Sequence, residues 1–145
     1  MPEEEVIERA RDDAREGKSP STQAGEFVRE EMEHIREGEH GARSSKQAIA
    51  IGLSKARRAG VKLPPPKRGK TSSRTRRQAE RDLAKGRGAR RKPSRTRSRA
   101  TKRALKREGR SAASRPALSR QARSAARSRS AAAKKAARTR KRRRG

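Results

Sequence analysis

Hydrophobic spacing divides the chain at Pro64-Pro65-Pro66: apolar residues recur at helical intervals before it and almost vanish after it. Between Ser19 and Gly38, Ala24, Phe27, Val28, Met32 and Ile35 share one face of a 3.6-residue period, with Glu26, Arg29, Glu30, Glu33 and Glu37 opposite. Ser19, with Pro20 behind it, reads as the cap of this helix and Gly38 as its stop. A further helix opens at Ser44, whose spacing to Gln47 is that of a capping box, and carries Ile49, Leu53 and Ala56 as a stripe with Ile51 close to it. Gly60 reads as its left-handed cap, Val61 as the accompanying apolar contact, and Lys55, Arg57 and Arg58 suit the negative end of its dipole. An earlier helix, from about Pro2 to Glu16, has only Val6, Ile7, Ala10 and Ala14 as apolar residues and is expected to fray.

The two better-patterned helices, joined by residues 39–43, are expected to pack as a hairpin. Its core would be Phe27, Val28, Met32, Ile35, Ile49, Ile51, Leu53 and Leu63. A unit of roughly 45 residues stands barely above the size at which domains need a staple or a partner, so self-association or a protein partner through residues 21–63 is expected to complete it. The chain thus divides into an acidic N-terminal helix (1–18), the hairpin (19–63), a Pro-rich linker (64–70) and a tail (71–145).

Charge sharpens this division. The 145 residues carry a net +29, but residues 1–41 hold a net −7, residues 42–66 a net +6 and residues 67–145 a net +30. With 27% hydrophobic residues and a single aromatic, the composition is that of a chain too polar to offset its conformational entropy. The fold class expected is therefore mainly α with extensive disorder: a small helical hairpin followed by a disordered, conditionally helical basic tail. A weak repeat marks where tail helices would form. Thr75-Arg76, Ala79, Leu83 and Gly86 are echoed by Thr96-Arg97, Ala100, Leu105 and Gly109, and a third candidate runs from Pro116 to about Arg140. Repulsion between neighbouring cations opposes these helices in water, so helix gain on binding a polyanion is expected.

The run from His40 to Ala56 reads His-Gly-Ala-Arg-Ser-Ser-Lys-Gln-Ala-Ile-Ala-Ile-Gly-Leu-Ser-Lys-Ala. It resembles a family of small basic proteins of bacteria and their phages classed as a domain of unknown function, which share Ser-x-x-Gln-Ala-Ile-Ala-Ile-x-Leu-Ser-x-Ala. The likeness covers about residues 21–66. The tail also resembles longer members of that group, at 104–111 and 117–122. The resemblance implies a bacterial source and brings no activity with it. In its arginine bias the tail is similar to protamine-like segments, and in its Ala and Ser filler to linker-histone tails as well.

Of the 33 basic residues after Pro66, 24 are arginine, whose planar fork matches phosphate oxygens. The residues expected to contact nucleic acid are Arg74, Arg76, Arg77, Arg87, Arg90, Arg91, Lys92, Arg95, Arg97, Arg99, Lys102, Arg103, Lys134, Lys135, Arg138, Arg140, Lys141, Arg142, Arg143 and Arg144. No aromatic follows Phe27, so stacking on single-stranded bases is excluded and backbone contacts remain. Non-sequence-specific binding is expected, with DNA condensation or nucleoid association first. An RNA- or ribosome-associated protein and a structural adaptor acting through the hairpin are the alternatives. The acidic residues Glu3 to Glu5, Glu8, Asp12, Asp13 and Glu16 read as an exposed helix, with folding back onto the tail as the alternative.

Cysteine is absent, which excludes thiolate metal sites and a cysteine nucleophile. No serine has a base and orienter in view, so no enzyme, cofactor or small-molecule substrate is expected. His34 and His40, with Glu33, Glu37 and Glu39 nearby, lack metal-ligand spacing and read as exposed polar residues, so no metal is expected. The acidic start has neither the basic nor the apolar region of a secretory signal, and no apolar run reaches a membrane-spanning length of ~20 residues. A cytoplasmic, nucleoid-associated location is the corresponding expectation.

Overall fold

The computed structural model describes residues 3–88, 92 and 94–145. Among them are six α-helices: α1 Glu4–Arg15, α2 Pro20–Glu37, α3 Ser45–Arg58, α4 Ser73–Arg87, α5 Arg95–Arg107 and α6 Arg115–Arg144, with a 3-10 turn at Ser111–Ala113 before the last. Pro2, expected to open the first helix, lies outside the described residues.

The caps read from sequence are in place. Ser19 Oγ accepts from the Thr22 amide at 3.3 Å, and α2 ends at Gly38 with φ of 82°. Ser44 Oγ accepts from the Gln47 amide at 3.2 Å. Gln47 Oε1 returns to the amide of Arg43 at 2.6 Å, one residue earlier than a reciprocal box requires. Gly60 takes φ of 106°, and Val61 behind it is buried. The first helix is fully formed rather than frayed, because Val6 and Ala10 are buried in one cluster with Ala24 and Phe27 of α2 and with Ala56 and Val61.

A second cluster holds Met32 and Ile35 of α2, Ala42, Ala48 of α3, and Ala112 and Ala113 of the 3-10 turn, with Val28, Ile49 and Leu118 packed against it. α3 buries Ser45, Ala48, Gly52 and Ala56, about one helical turn apart, and Arg57 beside them. The large residues Ile49, Ile51 and Leu53 are only half-buried, and Ile51 belongs to neither cluster. The helices meet through small residues for a steric reason. A Cβ at Gly52 would lie 2.7 Å from the Val28 Cα, so only glycine lets the two backbones approach this closely.

The expectation of extensive disorder is overturned by three helices beyond the prolines and by their contacts with the hairpin. α4 packs on α3 through Ala79 and the buried Asp82. The 3-10 turn covers the loop end of the hairpin. Ser45 Oγ donates to the Ala112 carbonyl at 2.6 Å and Arg36 Nε to that of Ala113 at 3.1 Å. The hairpin loop joins in: the Gly41 amide donates to the Leu105 carbonyl at 2.8 Å and the Ala42 amide to that of Gly109 at 3.0 Å. A Cβ at Gly41 would fall 2.0 Å from the Glu108 carbonyl oxygen, which requires glycine in this loop.

Two physical reasons explain the order. Alanine, arginine and lysine rank among the best helix formers, and they make up most of α6. The missing apolar volume is supplied by alanines of the tail itself. Ser114, with Pro116 in the first turn, caps α6 by accepting from the Ala117 amide at 3.3 Å.

Gly52→Ala tests the close contact. The gain in helix propensity of about 1 kcal/mol is outweighed by separating two backbones, so urea unfolding is expected to show a net loss of about 1–2 kcal/mol. An unchanged or raised stability would show that α2 and α3 do not touch there.

Candidate nucleic-acid interface

The cations reach solvent because the helices that carry them have little to bury. Every residue of α5 is exposed except the half-buried Leu105, and every residue of α6 from Ala126 onward is exposed. α6 carries 13 basic residues and no acidic one. At about 100° per residue, Arg120, Arg123, Arg127, Lys134, Arg138, Lys141 and Arg142 fall within an arc of about 100°, along about 33 Å of helix. Alanines 122, 126, 133, 136 and 137 share the opposite side with Arg115, Arg129, Arg140, Arg143 and Arg144. The result is a slender rod with cations on all sides and the densest stripe along one face.

The expected contact residues divide among the helices. Arg74, Arg76, Arg77 and Arg87 lie on α4; Arg95, Arg97, Arg99, Lys102 and Arg103 on α5; Lys134, Lys135, Arg138 and Arg140 to Arg144 on α6. Lys92 is exposed between α4 and α5, while Arg90 and Arg91 lie outside the described residues. Arg76 is half-buried and its Nε pairs with Glu80 at 3.1 Å, which leaves it less available than its neighbours. Arg115, Arg120, Arg123, Arg127 and Arg129, which are not among the expected contact residues, lie on the same helix. The four-residue step from Arg123 to Arg127, repeated from Lys134 to Arg138, is the signal that would have found the stripe.

Not every cation belongs to this surface. Arg57 is buried, and its Nε and Nη2 donate to the carbonyls of Leu63 and Pro64 at 3.2 Å each. Burial pushes its pKa down from the ordinary guanidinium value, against the opposing charge of Asp82. Lys18 donates to Asp13 at 2.7 Å and pairs with Glu16 at 2.9 Å, contacts that raise its pKa while it closes the end of α1. Arg58 Nε donates to Asp82 at 2.9 Å. The same carboxylate accepts from Ser54 Oγ at 2.7 Å and Gln78 Nε2 at 3.1 Å, so one buried aspartate ties α4 to α3 and sets where the basic segment leaves the hairpin.

Acidic residues gather at the other end of the charge distribution. α1 packs on α2, where Arg9 Nε meets Glu26 at 3.0 Å, and makes no helix-to-helix packing with α4, α5 or α6 among the described residues. The reading of the histidines as exposed is corrected. The side chains of His34 and His40 are 12% and 13% exposed. His40 Nε2 lies 3.1 Å from Oε2 of the fully buried Glu31, not beside Glu33 or Glu37. Lys55 Nζ donates to the other oxygen, Oε1. Glu30, also buried, accepts the Glu3 amide on Oε1 at 2.6 Å. The pair Glu31 and His34, one turn apart on α2, was the sequence signal for this cluster.

Replacing Asp82 by alanine should leave Ser54 and Gln78 without their partner and loosen α4 from α3. A stability loss of about 2 kcal/mol in urea is expected, together with faster amide exchange in α4 than in α2; Arg58, half-exposed, is rehydrated and adds little. Unchanged exchange in α4 would remove Asp82 from this role.

No curated protein and no solved structure matches the chain. Residues 18–68, the stretch that forms α2, α3 and the proline segment, match the model of a family of unknown function (DUF6496).

Proposed function

We propose that the protein binds nucleic acids through their phosphate backbone, without reading sequence, using α5 and α6 as cationic rods. The observation that carries this reading is the exposed stripe of α6, seven cations along about 33 Å with no acidic residue on the helix. Side chains spaced in this way neutralise successive phosphates and release condensed counterions, which supplies affinity that any sequence can draw on. Arginine adds bidentate geometry to each contact. The single aromatic, Phe27, is fully buried, so stacking on splayed bases is unavailable and a duplex backbone is the natural target. Duplex DNA is the substrate proposed, with a role in DNA condensation at the nucleoid. The folded hairpin serves as the base from which the rods project. Among the described residues no helix is long and apolar enough to cross a membrane.

Fluorescence anisotropy with a random duplex DNA and a structured RNA, across a range of salt, tests this. Residues 1–125 retain both hydrophobic clusters and lack only exposed positions of α6. The truncated chain is expected to bind more weakly, its log–log salt slope on duplex DNA shrinking by about 0.9 for every phosphate that it no longer neutralises. Equal affinity and slope for the two chains would contradict the proposal, and tighter binding to RNA would move the role away from the nucleoid.

A further inference from the structure

The buried cluster at the end of α2 is unexplained by nucleic-acid binding. Glu31 and His34 stand one turn apart on α2, and beyond the turn at Gly38 the chain returns so that His40 faces them. One ligand atom from each of Glu31, His34 and His40 can be chosen so that all lie within 4.8 Å of one another. The two rings meet edge to face with centroids 6.2 Å apart.

Hydrogen bonding shows that the cluster is incomplete. His40 Nδ1 lies 2.9 Å from the Gly41 carbonyl, which can only accept, so Nδ1 carries the proton. Nε2 of the same ring lies 3.1 Å from Glu31 Oε2 without forming a hydrogen bond to it. Oε2 accordingly finds no hydrogen-bond donor among the described residues, although Glu31 is fully buried. Buried carboxylate oxygens are rarely left so, and a cation shared by Oε2 and the two imidazoles would supply the missing partner. Ligands about 2.1 Å from a tetrahedral ion lie roughly 3.4 Å apart, close to the 3.1 Å between His40 Nε2 and Glu31 Oε2. A ring nitrogen held by a backbone carbonyl is also the usual support of a metal-bound imidazole. Lys55 on Oε1 leaves Glu31 one oxygen to give.

We infer that Glu31, His34 and His40 bind one divalent first-row transition-metal ion, with zinc the natural occupant of a two-imidazole, one-carboxylate set. The ion would lock the hairpin loop onto α2. That loop also holds the segment 105–109 through the amides of Gly41 and Ala42, so metal would stabilise the junction from which α6 departs.

The chain has two histidines and no cysteine, so any imidazole ligation in the untagged protein reports this site alone. Zinc titration of the full chain, followed by calorimetry and by 15N NMR of the imidazole nitrogens, is the test. Uptake of one equivalent is expected, moving Nε2 of His40 and one nitrogen of His34 to metal-bound shifts and raising Tm by mass action. His34→Ala and His40→Ala should each bind at least about tenfold more weakly, the smallest loss that even outer-shell partners of metal ligands cause. If these variants do not fold, the wild-type ring resonances decide alone. Ring signals unmoved by zinc, both nitrogens of His40 protonated in an ion pair with Glu31, or undiminished uptake by folded variants would overturn the inference.

Discussion

The approach of two backbones at Gly52 and Val28 is the contact on which the rest of the molecule depends. A chain with so few large apolar residues cannot fill wide gaps between helices, so it brings α2 and α3 close and seals them with Ala48, Ala56 and Ser45. Closeness replaces volume. Both hydrophobic clusters border this contact: one is completed by α1, the other by two alanines of the turn before α6. The tail is thus partly a structural element, and its cations leave the hairpin from fixed points.

That arrangement explains why the charges can be so unevenly distributed without collapse. Carboxylates near the hairpin are engaged locally, by Arg9, Lys18, Lys55 and Arg58. Among the described residues the cations of α5 and α6 pair with no carboxylate. They project along helices rather than dispersing through a coil, which fixes their spacing before any polyanion arrives and reduces the ordering cost of binding. The cluster of Glu31, His34 and His40 sits where the hairpin loop, α2 and the segment leading to α6 converge.

Much of this was legible from the chain itself. Ser19, Ser44, Gly38 and Gly60 mark their helix ends because capping is local chemistry, decided within four residues. Phe27, Met32 and Ile35 were correctly placed inside by their period. The disorder expectation failed because composition weighs large apolar residues and overlooks alanine, which here is both the main helix former of α6 and a constituent of the core at Ala112 and Ala113. Ile51 was misassigned for a related reason: size pointed to burial, whereas the helix interface selected Gly52 beside it. Contacts between residues distant in sequence, such as Ser45 with Ala112 or Ser54 with Asp82, leave no periodic trace. The same holds for His40, whose meeting with Glu31 depends on the turn after α2.

On this reading nucleic acid engages the rods and spares the hairpin. Lysine-acylation footprinting by mass spectrometry, with and without random duplex DNA, tests it most directly, because exposed lysines occur in both regions. Protection of Lys102, Lys134, Lys135 and Lys141 on α5 and α6 is expected, with Lys18 and Lys46 reacting as before. Protection concentrated at Lys46 or Lys62, with the α6 lysines unchanged, would contradict it.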